Sequence, residues 1–201
     1  MAKITTIIFD WAGVFCSAGE PFSHPRLRKE TGLTVAEIGE KTKSTQRSYY
    51  LGKIKTNEFW GKIIDFFKLK NLTREELSQA YLSSYRIYPE MLELVKNLKN
   101  NYKTAILSNL TEEMTEHIIK THDIKKYFTF TFFSNQIGLM KPDKKAYEFA
   151  LGQIKSAPGE TVFIDDSAAN VAAAKNLGMN TILFASPAQC KKKLAELGIK
   201  L

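Results

Sequence analysis

The chain has 201 residues, 44% hydrophobic and 25% charged, which suits one core with an inserted or small second domain and excludes a disordered segment. Its formal net charge of +8 comes from lysines spread along the chain, with one tight run, "CKKKLAEL" at 190–197; this reads as a lysine-rich surface with no nucleic-acid partner, and it equally attracts a small phosphorylated anion. No apolar run reaches the length of a membrane span, "MAKITTIIFD" breaks any signal-peptide pattern with an acid, and Cys16 and Cys190 have neither metal nor disulfide spacing, so the expectation is a cytoplasmic protein with no membrane partner.

In chain order, "ITTIIFD" at 4–10 reads as a short β-branched strand. From Cys16 to about Arg86 the pattern is helical. Capping boxes stand at Thr34 with Glu37 and at Thr73 with Glu76, and Phe59, Trp60, Ile63, Ile64 and Phe67 share one face of a helix over 57–67. Pro89 opens the helix "PEMLELVKNLKN", and "KTAILSN" at 103–109 is a second strand. Thr111 caps a helix with Glu112 and Glu113 in its first turn. "YFTFTFFSN" at 127–135 is a third strand, and Pro142 is expected to start the helix "PDKKAYEFALGQI". "TVFIDD" at 161–166 is a fourth strand, "AANVAAAKNLG" a helix closed by Gly178, and "NTILF" at 180–184 a fifth strand. Uniformly apolar strands alternating with helices predict an α/β fold: a Rossmann-like parallel sheet covered by helices on both faces. The expected domains are a core of 1–15 and 87–201 and an inserted helical bundle of 16–86.

In such a sheet ligands bind at the carboxyl ends of the strands. The first strand ends on Asp10, the second on Ser108 and Asn109, and the fourth on Asp165 and Asp166, while Lys141 follows the third in "GLMKPD". Each alone also serves as a helix cap or turn residue. Together they bring three carboxylates, a hydroxyl, an amide and an ammonium to one sheet edge. Clustered acids repel unless a divalent cation neutralises them, and hard oxygen donors suit Mg²⁺. A cation, a lysine and a hydroxyl around a carboxylate nucleophile make a phosphoryl-transfer site.

Four stretches in order carry a resemblance: "IIFDWAGV", "AILSN", the lysine of "GLMKPDKKAYEFAL", and "VFIDDSAANVAAAKNLG". The chain resembles the haloacid dehalogenase superfamily of hydrolases over nearly its whole length, and "YYLGKIKTNEFW" at 49–60 is similar to helical caps of the sugar-phosphatase and epoxide-hydrolase-phosphatase branch. The resemblance implies a Mg²⁺-dependent phosphatase of a small, sugar-phosphate-like metabolite, working as monomer or homodimer. It implies that Asp10 attacks phosphorus to form an aspartyl-phosphate. Mg²⁺ would be held by Asp10, the Ala12 carbonyl and Asp166, with Asp165 acting behind them or through water. Ser108, the backbone around Asn109, and Lys141 would bind the phosphoryl oxygens. Asn170 would orient the metal loop, and Trp11 would wall the substrate cavity or pack in the core.

Ala12 departs from the pattern, because most phosphatases of this superfamily carry a second aspartate there to protonate the leaving group and activate water. Its loss matters least for good leaving groups, such as anomeric, aryl or acyl phosphates. The alternatives are a phosphonoacetaldehyde hydrolase, with Lys53 or Lys55 as Schiff-base lysine, and a 2-haloacid dehalogenase, with Arg26 or Arg28 binding halide. A catalytically weak binding or regulatory protein on the same fold is the remaining alternative. Thirteen basic against eight acidic residues over 16–86 suit an anionic substrate.

Overall fold

The computed structural model describes residues 3–17 and 19–201. Strand β1 (Thr6–Phe9) is buried along its whole length, as expected of a strand covered on both faces. It is followed by helices α1 (Pro25–Thr31), α2 (Val35–Lys41), α3 (Lys43–Tyr50), α4 (Thr56–Phe67) and α5 (Arg74–Leu82). Then come α6 (Pro89–Leu98), β2 (Lys103–Ser108), α7 (Glu112–His122), β3 (Phe130–Phe133) and α8 (Ser134–Ile137). The chain ends with α9 (Lys144–Ile154), β4 (Thr161–Asp165), α10 (Ala168–Asn176), β5 (Asn180–Leu183) and α11 (Pro187–Glu196).

The strands form one parallel sheet in the order β3-β2-β1-β4-β5. Side chains alternate across it, so Ile7 and Phe9 join one apolar cluster while Ile8 joins Ala105, Leu107 and Phe163 in the other. The chain order turns back on itself at β1, which lies between β2 and β4. That is where a doubly wound sheet opens a crevice beyond its strand ends.

Two expectations shift. The third strand is confined to Phe130–Phe133, because a short 3-10 turn (Ile124–Lys126) precedes it and α8 follows at once. Pro142 does not start α9. The Asp143 side chain accepts from the Lys145 N–H (3.0 Å) and caps the helix one residue before Lys144. Both capping boxes form as expected, at Thr34 with Glu37 and at Thr73 with Glu76.

The helices from α1 to α5 leave and re-enter the α/β layer at one place. Ser17 N–H donates to the Arg86 carbonyl (2.9 Å), and Cys16 bridges Ile87 in antiparallel fashion. They are held to the first turn of α7 by two carboxylates. Glu112 accepts from Lys55 Nζ (2.5 Å), Thr56 N–H (3.0 Å) and Thr56 Oγ1 (3.1 Å). Glu113 is buried and accepts from Trp60 Nε1 at 3.1 Å and from the Ser78 hydroxyl. Burial pushes the Glu113 carboxyl above the ordinary glutamate range.

A carboxyl with a raised folded-state pKa binds its proton more tightly folded than unfolded, so its stabilisation is present at low pH and lost as pH rises through that value. Glu113→Gln, which cannot ionise, is therefore expected to gain stability relative to the parent as pH rises from 4.5 to 7, read by urea unfolding at both pH values. Glu113→Ala strands the buried Trp60 donor and the half-buried Ser78 hydroxyl and should cost about 1–3 kcal/mol.

Candidate active site

Asp10 follows β1 and continues its ladder, its N–H donating to the Ile164 carbonyl of β4 (2.8 Å). It is 7% exposed. Two donors hold its Oδ1: the Trp11 N–H (2.6 Å) and Lys141 Nζ (3.0 Å). Lys141 Nζ also meets Asp165 Oδ2 at 2.7 Å and stands 5.4 Å from the Phe163 ring centroid. Both charges of that second pair are fully buried.

Asp165 is the most heavily tied of the acids. Its Oδ1 accepts from Ser167 N–H (2.8 Å) and Asn170 Nδ2 (3.0 Å), and its Oδ2 accepts from Asn170 Nδ2 (3.1 Å) and Lys141. The Asn170 carbonyl accepts in turn from the Tyr147 hydroxyl (3.0 Å). Asp166 is exposed, next in sequence, and its carboxylate lies against Gly13. Gly13 has φ +84°, and a Cβ there would fall 2.0 Å from Asp166 Oδ2. Glycine is needed at this point both for the left-handed turn and for the carboxylate beside it.

One oxygen each of Asp10, Asp165 and Asp166 lies within 4.8 Å of the others. Among the described residues one ammonium stands against the three carboxylates, leaving an excess of two negative charges, a deficit of two positive ones, when all are ionised. Burial, opposed by Lys141 and reinforced by Asp165, raises Asp10 to about 6. Burial and Asp165 also raise Asp166. The cluster is thus under-neutralised by protein alone, and its hard oxygen donors and its deficit of two fit a divalent cation.

The Asn109 side chain clasps the backbone of Lys141 from both sides: Nδ2 donates to its carbonyl and Oδ1 accepts from its N–H, each at 2.9 Å. The end of β2 therefore sets the position of the lysine, a link the sequence did not signal. Ser108 Oγ is buried without a hydrogen-bond partner, close enough to Asp10 to favour its charged form. Such an orphaned hydroxyl beside a carboxylate is a ready donor to an incoming anion.

Trp11 is wholly buried, stacked on Phe15 with centroids 5.3 Å apart, and its Nε1 has no partner. It also lines a cavity of about 110 Å³ together with Ala12, Asn109, Leu110 and Met114. The same cavity is lined by Tyr50, Tyr81 and Tyr85, residues that share no motif in the sequence. Lys53 is exposed and Lys55 is paired with Glu112, and neither lines this cavity. Arg26 is paired with Glu76 on the surface, and Arg28 is exposed.

Removing Lys141 leaves Asp10 and Asp165 buried without a counter-charge. Lys141→Met is expected to cost about 3–5 kcal/mol of stability at pH 7. Asp10, already raised by burial, would then titrate higher still, so the loss should shrink as pH falls and that carboxyl becomes neutral. Urea unfolding across pH checks both the size and the sign.

The haloacid dehalogenase-like hydrolase profile matches residues 4–178. The chain is 29% identical over 133 residues to bifunctional epoxide hydrolase 2 of Rattus norvegicus, a match covering 64% of this chain and only 24% of that protein. It is 26% identical to D-ribitol-5-phosphate phosphatase of Bacteroides thetaiotaomicron over 95% of this chain and 97% of that one. A HAD family enzyme of the same organism, in a magnesium complex, shares the fold with a TM-score of 0.78 at 24% identity, over 90% of this chain and 93% of that one.

Proposed function

We propose that this chain, which belongs to the haloacid dehalogenase-like hydrolases, hydrolyses a phosphate monoester of a small metabolite with Asp10 as nucleophile. The observation that carries the reading is the anchored, buried carboxylate of Asp10 in a cluster left two charges short of neutral. A dehalogenating carboxylate has no use for that deficit, whereas a phosphatase uses a dication and a dianionic substrate together. The similarity to a D-ribitol-5-phosphate phosphatase over almost the full chain favours the same choice.

In this reading Mg²⁺ is held by Asp10, Asp166 and the Ala12 carbonyl, with Asp165 acting behind them because its oxygens are engaged by Lys141, Asn170 and Ser167. When bound, the cation neutralises charge on the phosphoryl oxygens and the carboxylates. Asp10 attacks phosphorus, and its orientation is fixed beforehand by the Trp11 N–H and Lys141. Ser108 donates to a phosphoryl oxygen, satisfying a hydroxyl that otherwise has no partner. Lys141 and the backbone around Asn109 stabilise charge on the others. The helices of residues 16–86 act as a cap over this site, and Trp11 walls the substrate space.

A panel of small phosphate esters with and without Mg²⁺ tests the reading. Turnover is expected to need the metal, to cease with EDTA, and to fall to background in Asp10→Asn. Metal-independent turnover, or none on any phosphate while a 2-haloacid is consumed, would overturn it.

A further inference from the structure

Position 12 lacks any group that can move a proton, and the space beyond its methyl belongs to the cavity of about 110 Å³. That volume is well below the ~300 Å³ at which drug-sized ligand pockets begin. One wall of the cavity is the turn after the nucleophile, Trp11 and Ala12, with Asn109 and Leu110 from the end of β2. The other wall is phenolic. Tyr50 ends α3, Tyr81 lies in α5 and Tyr85 stands on the return to α6. Gly19 completes the enclosure, and a Cβ there would stand 3.1 Å from the Tyr81 ring.

The three hydroxyls are not equivalent. Tyr85 is engaged with His122 Nε2 at 2.8 Å. Tyr81 accepts from the Thr111 hydroxyl, the cap of α7, at 3.4 Å. The Tyr50 hydroxyl has the Tyr81 hydroxyl as its neighbour, and the Glu113 carboxyl stands near enough to oppose its ionisation. Burial keeps the phenols of Tyr50 and Tyr81 above the ordinary tyrosine range, so at neutral pH each carries its proton.

We propose that the leaving group of the substrate seats in this tyrosine-walled cavity, that it is a small alcohol in keeping with the size of the cavity, and that Tyr50 supplies the proton Ala12 cannot. The proposal rests on the phosphatase reading. As the bond between Asp10 and phosphorus forms, the bond from phosphorus to the ester oxygen breaks. The leaving oxygen keeps the bonding pair and takes the Tyr50 proton, giving the free alcohol and a phenolate. Water then attacks the aspartyl-phosphate and the phenolate takes its proton, so that inorganic phosphate leaves, the Asp10 carboxylate re-forms, and Tyr50 is again a phenol. Tyr81, donating to the phenolate, would ease its brief charge.

The test uses two small substrates with Mg²⁺: glycerol 3-phosphate, whose leaving oxygen needs a proton, and acetyl phosphate, whose leaving carboxylate does not. Tyr50→Phe is expected to lower kcat/KM on glycerol 3-phosphate by about 10²-fold or more and on acetyl phosphate by no more than about threefold, since general acid catalysis contributes ~10²–10⁴. Adding Ala12→Asp to Tyr50→Phe should restore much of the glycerol 3-phosphate rate. In the unaltered protein, a series of short alkyl phosphates should vary little in rate with the acidity of the leaving alcohol. Equal losses on both substrates, no rescue by Ala12→Asp, or faster turnover of glucose 6-phosphate than of glycerol 3-phosphate would overturn the proposal. If the unaltered protein turns over neither substrate above its Asp10→Asn variant, it is the phosphatase reading that fails.

Discussion

The contact on which the site depends is the buried ammonium of Lys141 between Asp10 and Asp165. Its two distances, 3.0 and 2.7 Å, bring a residue of the β3–α9 connection to the ends of β1 and β4. Burying three ionisable groups together is costly, and the attraction repays that cost only when the remaining lone pairs and protons are also matched. Here the matching comes from neighbours that have no charge. Asn109 fixes the lysine backbone, Asn170 and Ser167 N–H fix Asp165, and Trp11 N–H fixes Asp10. Removing any one of these would loosen a group whose position is set through another.

The same arrangement leaves the cluster short of positive charge. Burial, with the Asp165 charge adding to it, holds Asp10 high, at about 6, despite the ion pair with Lys141. A second lysine would have left a single excess negative charge and weakened the site's attraction for a dication. The deficit is thus a property of the site and not a defect in its packing. It also explains why Asp166 lies over a glycine. The turn must pass close beneath a carboxylate, and Gly13 is the position where any side chain would collide with it.

Much of this was legible in the sequence, for identifiable reasons. Strands that end on acids, and capping boxes such as Thr34 with Glu37, are local signals that tertiary packing had no cause to override. The convergence of Asp10, Ser108 and Asp165 follows from parallel strand order, whereas Lys141 reaches them from a connection held by Asn109. What stayed hidden depends on contacts between distant segments. Glu113 reads as a helix-dipole residue, but it is a buried acceptor for Trp60 and Ser78. Asn109 reads as a turn residue, yet it clasps Lys141 across 32 positions. Tyr50, Tyr81 and Tyr85 carry no shared motif, and only the packing of the inserted helices against the β1 turn collects them. The start of α9 was misplaced because Asp143 outcompetes Pro142 as a local signal once its side chain caps the helix.

The position of Ala12 is easier to understand from this division of labour. The hydrogen bonds and ion pair that hold Asp10 come from the Trp11 N–H, the β4 ladder and Lys141, and none from the side chain at position 12. Substitution there therefore leaves Asp10 in place and changes only what lines the cavity beside it. The residues opposite belong to the inserted helices, which are tied to α7 through Glu112 and Glu113. The charge cluster and the inserted helices are held by separate sets of contacts, so the wall opposite position 12 can change without disturbing the cluster. A small side chain at position 12 is then compatible with an intact charge cluster, because none of the groups that hold Asp10, Asp165 and Lys141 together depends on it.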